Sequence, residues 1–165
     1  MTVMIGSSAT ALGQGTAPPL DQFAAPLGGS TNDLFGQSIA INSVFGAIGA
    51  PGWVGLVGGV EQPAQGAVNI YANFGDGHFE WQRTLTSNTG VSNDNCGMAV
   101  AASTNWVVAG VPGREVMASG ASTVQLQAGA VWAWNRSGAT WSAVPFEMTH
   151  ANPKHIDLFG SSVAI

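Results

Sequence analysis

The residue types that could do chemistry are few in this chain and widely spaced. Charged residues make up only 8% of the 165 positions, and Cys96 is the single cysteine. A nucleophilic cysteine needs a neighbouring base and an electropositive setting, since the thiolate is the reactive form. Cys96 instead occupies one position of a repeated segment in which the other copies carry phenylalanine. We therefore expect a small, buried apolar group there and no catalytic role.

The residues that come closest to a metal-binding pattern in the sequence are two histidines and one carboxylate. His150 and His155 lie in one predicted loop with Asp157 close behind, and His78 is the only other histidine. Imidazole and carboxylate groups are suitable metal ligands. Their spacing matches no designed ligand pattern, so we expect solvated side chains and no bound metal.

Other catalytic signatures are absent from the sequence. There is no Ser-His-Asp order, no paired carboxylate and no phosphate loop, and the Gly-x-Gly pairs reflect a content of 23 glycines. We expect no enzyme, no catalytic residue and no cofactor.

The charge balance also excludes several partners. The net charge is −5, and the four cations, Arg83, Arg114, Arg136 and Lys154, form no cluster. Nucleic-acid binding and attraction to an anionic membrane both need clustered cations. No run of 18 apolar residues exists, so no membrane insertion is expected.

The dominant feature of the sequence is a segment that occurs three times with a period of about 60 residues. Residues 33–36 read Asp-Leu-Phe-Gly, residues 94–97 read Asp-Asn-Cys-Gly, and residues 157–160 read Asp-Leu-Phe-Gly. A Gly-Ala-Pro or Gly-Val-Pro follows the first two copies. The recurring positions are Asp33, Phe35, Gly36, Gly49 and Pro51, then Asp94, Cys96, Gly97, Gly110 and Pro112, and finally Asp157, Phe159 and Gly160.

Together these marks resemble FG-GAP repeats, the blades of the β-propeller in integrin α subunits and in many bacterial surface proteins. The resemblance covers roughly residues 20–165 and implies an all-β fold of four-stranded antiparallel blades. It predicts an outer strand at 20–27, one blade at 33–86, a second at 94–148 and the start of a third at 157–165. The expected strands lie at 38–42, 45–50, 67–73 and 79–85 in the first blade, at 98–102, 106–110, 130–135 and 140–148 in the second, and at 163–165 in the third. A tight turn is expected at 74–77. We expect residues 1–19 to be an N-terminal arm, and the chain to be part of a longer propeller.

The repeated residues have structural explanations. Glycine after the Phe position lets the backbone turn sharply into the first strand of each blade. Phe35 and Phe159 can then wedge between neighbouring blades. The Asp at the start of each copy can accept hydrogen bonds from loop amides.

Calcium is the one ligand that the resemblance raises, because integrin blades often carry an Asp-rich loop between their first two strands. Here residues 42–44 read Asn-Ser-Val and residues 103–105 read Ser-Thr-Asn. Both loops lack the carboxylates that calcium needs. The chain resembles the calcium-free bacterial type of the repeat, and we do not expect bound calcium.

Each of the two blades has one long segment between its second and third strands, and both segments are unusually apolar for loops. Their apolar side chains include Trp53, Leu56, Val57, Met117, Val124 and Leu126. An apolar patch on one face commonly marks a partner. We expect these residues to contact a protein partner or neighbouring subunit, or else to fold back over the blades.

Two functional classes remain open from the sequence. The resemblance implies a non-enzymatic interaction or adhesion module that is extracellular, on a cell surface or particle surface. The alternative is a structural virion component, such as a phage fibre or decoration protein. A propeller-based enzyme is a remote third possibility, since a fold does not determine function.

Overall fold

The computed structural model describes residues 29–75, 78–117 and 122–165. In that part of the chain the protein is all-β, with thirteen strands and no helix. The predicted arm at 1–19, the predicted outer strand at 20–27 and the tight turn around residues 76–77 lie outside the described residues. The strands form several small antiparallel sheets, none of which is closed.

Sheet I contains four strands in the order β1-β2-β5-β6, each antiparallel to its neighbour. The strands are β1 (Ile39–Ile41), β2 (Phe45–Ala50), β5 (Ala67–Asn73) and β6 (Phe79–Leu85). The bounds of β2, β5 and β6 are those that the sequence predicts. Pro51 follows β2 directly, as expected of a residue that cannot donate to the ladder.

Sheet II repeats this order about 60 residues later. Its strands are β7 (Val100–Ala102), β8 (Trp106–Val111), β11 (Ala130–Ser137), β12 (Thr140–Trp141) and β13 (Phe146–Thr149). Both β12 and β13 pair with β11, so two short strands share the outer position. The single outer strand predicted at 140–148 is therefore wrong. Pro145 lies in the gap between the two strands, and its missing N–H prevents a continuous ladder.

The apolar segments expected to be loops contain hairpins. They are formed by β3 (Gly55–Val57) with β4 (Val60–Gln62), and by β9 (Val116–Met117) with β10 (Val124–Gln125). Gly58 and Gly59 both have positive φ, at 58° and 83°, as a two-residue hairpin turn requires. The sequence missed β3 and β4 because their pattern does not alternate cleanly between apolar and polar residues.

The core lies between the two sheets. Sheet I contributes Phe45, Ala47, Val68 and Ile70, and sheet II contributes Val107, Ala109, Val111, Trp132 and Trp134. The rings of Phe45 and Trp141 meet edge to face, with centroids 5.0 Å apart and planes at 87°. Such aromatic pairs contribute about 0.5–1.5 kcal/mol beyond the area they bury. The two sheets therefore share a single core.

The opposite face of sheet II carries a second, smaller cluster of Val108, Val131 and Ala133, against which Val163 packs. These three residues occupy the positions of Ala47, Val68 and Ile70, shifted by 61 or 63 residues. Residues 163–165 do not form the strand that the sequence predicts. A strand needs a partner for its backbone N–H and C=O groups, and no described strand pairs with this segment.

Candidate functional site

The three copies of the Asp-x-x-Gly motif share one backbone conformation. Gly36, Gly97 and Gly160 have φ values of 92°, 90° and 90°, a region open mainly to glycine. The residue two positions earlier is left-handed in every copy: Leu34 at 55°, Asn95 at 58° and Leu158 at 52°. The prediction that glycine permits a sharp turn here is confirmed.

The carboxylate of each motif closes its own loop. The side chains of Asp33, Asp94 and Asp157 each accept a hydrogen bond from the backbone N–H three residues earlier, over 2.5, 2.8 and 2.7 Å. The predicted role of these aspartates as acceptors for loop amides is confirmed.

The second and third motifs each bind the segment just before the third strand of the preceding sheet, β5 or β11, through the same parallel backbone contact, which we call the clasp. Asn95 and Cys96 donate their N–H groups to the carbonyls of residues 64 and 65, both over 2.9 Å. Leu158 and Phe159 donate to residues 127 and 128, over 3.0 and 2.9 Å. The third motif therefore contacts sheet II as the second contacts sheet I.

Close backbone approach at the clasp explains the recurring glycine of the second strands. A Cβ on Gly49 would overlap the carbonyl oxygen of Gly97, and a Cβ on Gly110 would overlap that of Gly160. Glycine is needed at both positions because a neighbouring backbone occupies the space of a side chain.

The Cys96 side chain is completely buried in the core between the sheets, as the sequence predicts. Burial raises the pKa of its thiol well above the usual value, and the nearby Asp94 charge adds to this effect. Phe159 occupies the equivalent place on sheet II but remains 37% exposed. The Phe35 ring meets Tyr71 edge to face at 6.3 Å. The motif position that carries Phe in the other two copies is thus buried between the sheets at Cys96, whereas the wedging of Phe35 and Phe159 between neighbouring blades stays a prediction.

The second repeat contains an ionic cluster, which consists of Asp94, Arg114, Trp132 and Glu147. Arg114 Nη1 lies 3.1 Å from Asp94 Oδ2 and donates to the Thr89 carbonyl over 3.0 Å. Arg114 Nε lies 3.1 Å from Glu147 Oε2, which also accepts the indole N–H of Trp132 over 2.7 Å. The Arg114 guanidinium stands 5.6 Å from the centre of the Trp132 ring. One cation thus connects the second motif to strands β11 and β13 of sheet II.

Burial dominates the electrostatics of this cluster. Desolvation raises the pKa of Asp94 from 3.8 to about 6, although the Val91 amide and Arg114 both act to lower it. Asp94 Oδ1 is buried and accepts no hydrogen bond. The side chain therefore holds its charge at neutral pH against a real cost of burial.

Sequence reasoning missed this cluster. In the first repeat the positions of Arg114, Trp132 and Glu147 are held by neutral residues, Trp53, Asn69 and Thr84. There a neutral hydrogen bond of 2.6 Å joins the Thr84 hydroxyl to Asn69. An alignment of the two repeats places Arg114 at the position of Trp53. This change from a neutral residue to a cation is the sequence feature that could have indicated the cluster.

The histidines do not converge on one site. His150 Nδ1 contacts the carbonyl of Asn152 at 2.9 Å, and His78 pairs with Glu80 at the surface. A cavity of about 240 Å³ is lined by His150, Asp157 and Phe159. Across residues 29–75, 78–117 and 122–165, no group of three His, Cys, Asp or Glu side chains could hold a metal ion.

The first of the two loops at which integrin blades often carry calcium, residues 42–44, is closed by an amide side chain. Asn42 Oδ1 accepts the N–H groups of Val44 and Phe45, over 2.8 and 3.0 Å. Its Nδ2 donates to the carbonyl of Ser103 across the junction between the sheets. An asparagine thus bridges the two loops.

The two hairpins present the exposed apolar residues named from the sequence. Leu56 is 70% exposed and Met117 is 56% exposed, and Val124 and Leu126 are also exposed. We call these four residues the hairpin surface. Val57 and Trp53 are half-buried, and Trp53 precedes β3 instead of lying on it. The hairpins occupy the same place in the two repeats. The backbone carbonyls of Trp53 and Arg114, just before each hairpin, accept the N–H groups of Gly66 and Gly129, just after it.

No protein-family model matches the chain, and no curated protein matches it. The described part of the chain has no helix that is long and apolar enough to cross a membrane.

Proposed function

We propose that the chain is a non-enzymatic interaction module built from FG-GAP-type propeller blades, which acts in adhesion at a cell or particle surface. The observation that carries the proposal is the hairpin surface. Four large apolar side chains stand in solvent on two equivalent hairpins, away from the core that both sheets share. Exposed apolar residues that recur at the equivalent hairpins of the two repeats favour a protein partner.

The repeat architecture supports the same proposal. Each clasp fixes a sheet against the next motif, so the hairpins project from a scaffold whose geometry repeats. Rigid presentation lowers the entropic cost of binding. Interface cores favour Met over charged residues, and the hairpin surface contains Met117 and no charged side chain.

The test replaces the apolar side chains of the hairpin surface without touching the core. We expect the double variant Leu56→Ser and Met117→Ser to lose capture of a partner from a surface or particle preparation of the source organism. Hot-spot losses are about 2 kcal/mol or more, or roughly thirtyfold in affinity. Phe146→Ser is the matched control, because Phe146 is 66% exposed but lies on the outer strand β13.

The proposal predicts that the wild type and the Phe146→Ser control capture the same protein, and that the double variant does not. Equal capture by all three would contradict it. Trp53→Ala is expected to weaken capture by about 2 kcal/mol with little change in melting temperature. If it lowers the melting temperature and leaves capture intact, Trp53 serves packing alone.

A further inference from the structure

The two hairpins carry the carboxylates that the fold leaves without a counter-charge. Glu61 lies on β4, Glu115 immediately precedes β9, and both residues are exposed. Neither side chain has a hydrogen-bond or ion-pair partner within the part of the chain that the structure describes. Every other carboxylate side chain of that part has a polar partner: Asp33, Glu80, Asp94, Glu147 and Asp157. Free side-chain carboxylates are thus confined to the hairpins.

No cation of the hairpin segments balances these two charges. Residues 53–64 and 115–127 contain no Lys, Arg or His. The nearest cation along the chain, Arg114, is already paired with Asp94 and Glu147, over 3.1 Å in each case. Each hairpin therefore presents one free negative charge close in sequence to the apolar residues of the hairpin surface.

The free carboxylates are paired with large apolar side chains. Glu61 is the cross-strand partner of Leu56 in the antiparallel ribbon of β3 and β4. Directly opposed residues share one face of such a ribbon, with Cβ atoms about 5 Å apart. Glu115 precedes Met117 by two residues, the spacing of side chains on one face of a strand. The same combination, one carboxylate and one exposed apolar side chain, thus recurs on both hairpins.

A lysine or arginine side chain is complementary to this combination. Its aliphatic stem packs along apolar surface while its charged end stays in polar contact, and that end forms charge-assisted hydrogen bonds to a carboxylate. A neutral or acidic partner would instead cover the carboxylate without supplying a counter-charge, which is costly.

We propose that the hairpin surface binds a protein segment in which Lys or Arg residues lie next to apolar residues, with one cation for each hairpin. The apolar residues of the segment contact the hairpin surface, and its cations pair with Glu61 and Glu115. This inference rests on the proposed function, because it names the partner chemistry of the same surface.

A random library of short displayed peptides tests this preference without a known partner. The full wild-type chain is immobilised, and the peptides that it retains are sequenced. We expect the enriched peptides to carry Lys or Arg next to large apolar residues. No enrichment, or enrichment of neutral or acidic peptides, would overturn the proposal.

Three variants, each of which removes one negative charge, locate the contact. We expect Glu61→Gln and Glu115→Gln each to bind the most enriched peptide at least about threefold more weakly, on the scale of an exposed ion pair. Slower association should account for most of the loss, and high salt should shrink the difference from the wild type. Glu80→Gln is the matched control, because Glu80 is exposed but pairs with His78 on the outer strand β6. Equal losses in all three variants would show a general charge effect and overturn the proposal.

The double variant Leu56→Ser and Met117→Ser separates this inference from the proposed function. If it loses the peptide while both Gln variants bind as the wild type does, the hairpin surface stands as an interaction site and the proposed role of its carboxylates is wrong. If it binds the peptide as the wild type does, the peptide contacts another surface, and this inference fails while the capture experiment decides the proposed function.

A second copy of the chain is the competing occupant. Sedimentation of the wild type and of the Gln variants over a range of concentrations tests it. Self-association that Glu61→Gln and Glu115→Gln abolish would assign the hairpins to a contact between copies and overturn the proposal. A wild type that stays monomeric over the concentrations used for peptide binding supports it.

Discussion

At the residue scale, the molecule depends on a few positions where backbone geometry or burial leaves little choice. Gly97 combines a φ of 90° with a Cβ position that runs into the carbonyl of Ala67. Asp94 combines full burial with an unpaired oxygen beside Arg114. Both residues belong to the motif that joins the two sheets, so local constraints there control how the sheets meet.

Gly97→Ala is expected to destabilise the protein through both strain and contact. A non-glycine residue in such a conformation costs on the order of 1–3 kcal/mol, and the clash with Ala67 adds to it. Gly58→Ala is the matched control: its φ is also positive, but open space surrounds its Cβ position. Urea denaturation should show the larger loss for Gly97→Ala. Equal losses would mean that the close approach at the clasp contributes nothing.

Asp94 is expected to make stability depend on pH. Its pKa is raised from 3.8 to about 6, so between these values the folded state holds a proton that the unfolded state has released. The contribution of Asp94 to stability therefore falls as pH rises from about 4 to 6 and stays low above that. Asp94→Asn lacks the titrating group, so its stability relative to the wild type should rise over this range.

The measurement for Asp94 is a pair of denaturation series from pH 4 to pH 8. The difference between variant and wild type should change by no more than about 3 kcal/mol, at about 1.4 kcal/mol for each pKa unit. A difference that is flat between pH 4 and 6, or that changes in the wild type's favour, would show that burial does not raise the pKa of Asp94.

At the element scale, aromatic packing joins the two sheets, and the aromatic residue of sheet I that makes this contact is Phe45, on β2. Phe45 is 1% exposed, sits in the shared core and meets Trp141 of sheet II edge to face. Its ring is also 5.9 Å from the Arg136 guanidinium. One side chain of sheet I thus contacts the outer part of sheet II.

Phe45→Ala is expected to cost about 3–5 kcal/mol and to lower the stability of both sheets together. Phe146→Ala changes the same residue type at a 66% exposed position and should stay within about 0.5 kcal/mol of the wild type. Exchange of amides in β5 and β11 reports each sheet separately. Loss of protection in sheet I alone would show that the sheets are independent.

Much of this element structure could be predicted from the sequence. Pro51 marks the end of β2 and Gly-Ala-Val marks the start of β5. The bounds predicted for β2, β5 and β6 of sheet I are correct. The hairpins were missed because glycine-rich apolar segments do not show strand alternation. Two features could not be predicted in this way: the division of the outer strand at Pro145 and the ionic cluster around Arg114. Both depend on which residues meet across the fold, and the pattern of a single strand does not contain that information.

At the scale of the whole molecule, the described part of the chain forms one sheet plan twice, and the two sheets share a core. The same left-handed residues, closing aspartates and clasp bonds recur at 61 or 63 residues. Repeat proteins gain stability from unit interfaces as well as from units. The differences between repeats, such as Arg114 for Trp53, distinguish one junction from the next without altering the plan.

The central claim is that one clasp is used twice, and amide hydrogen exchange at its four donors tests it most directly. Asn95 and Cys96 join the second motif to sheet I, and Leu158 and Phe159 join the third motif to sheet II. All four amides should exchange far more slowly than exposed amides of the hairpin tips, with Cys96, inside the shared core, the slowest. If Leu158 and Phe159 exchange as fast as the tip residues Gly58 and Gly59 while Asn95 and Cys96 are protected, the third motif does not repeat the second, and the account is wrong.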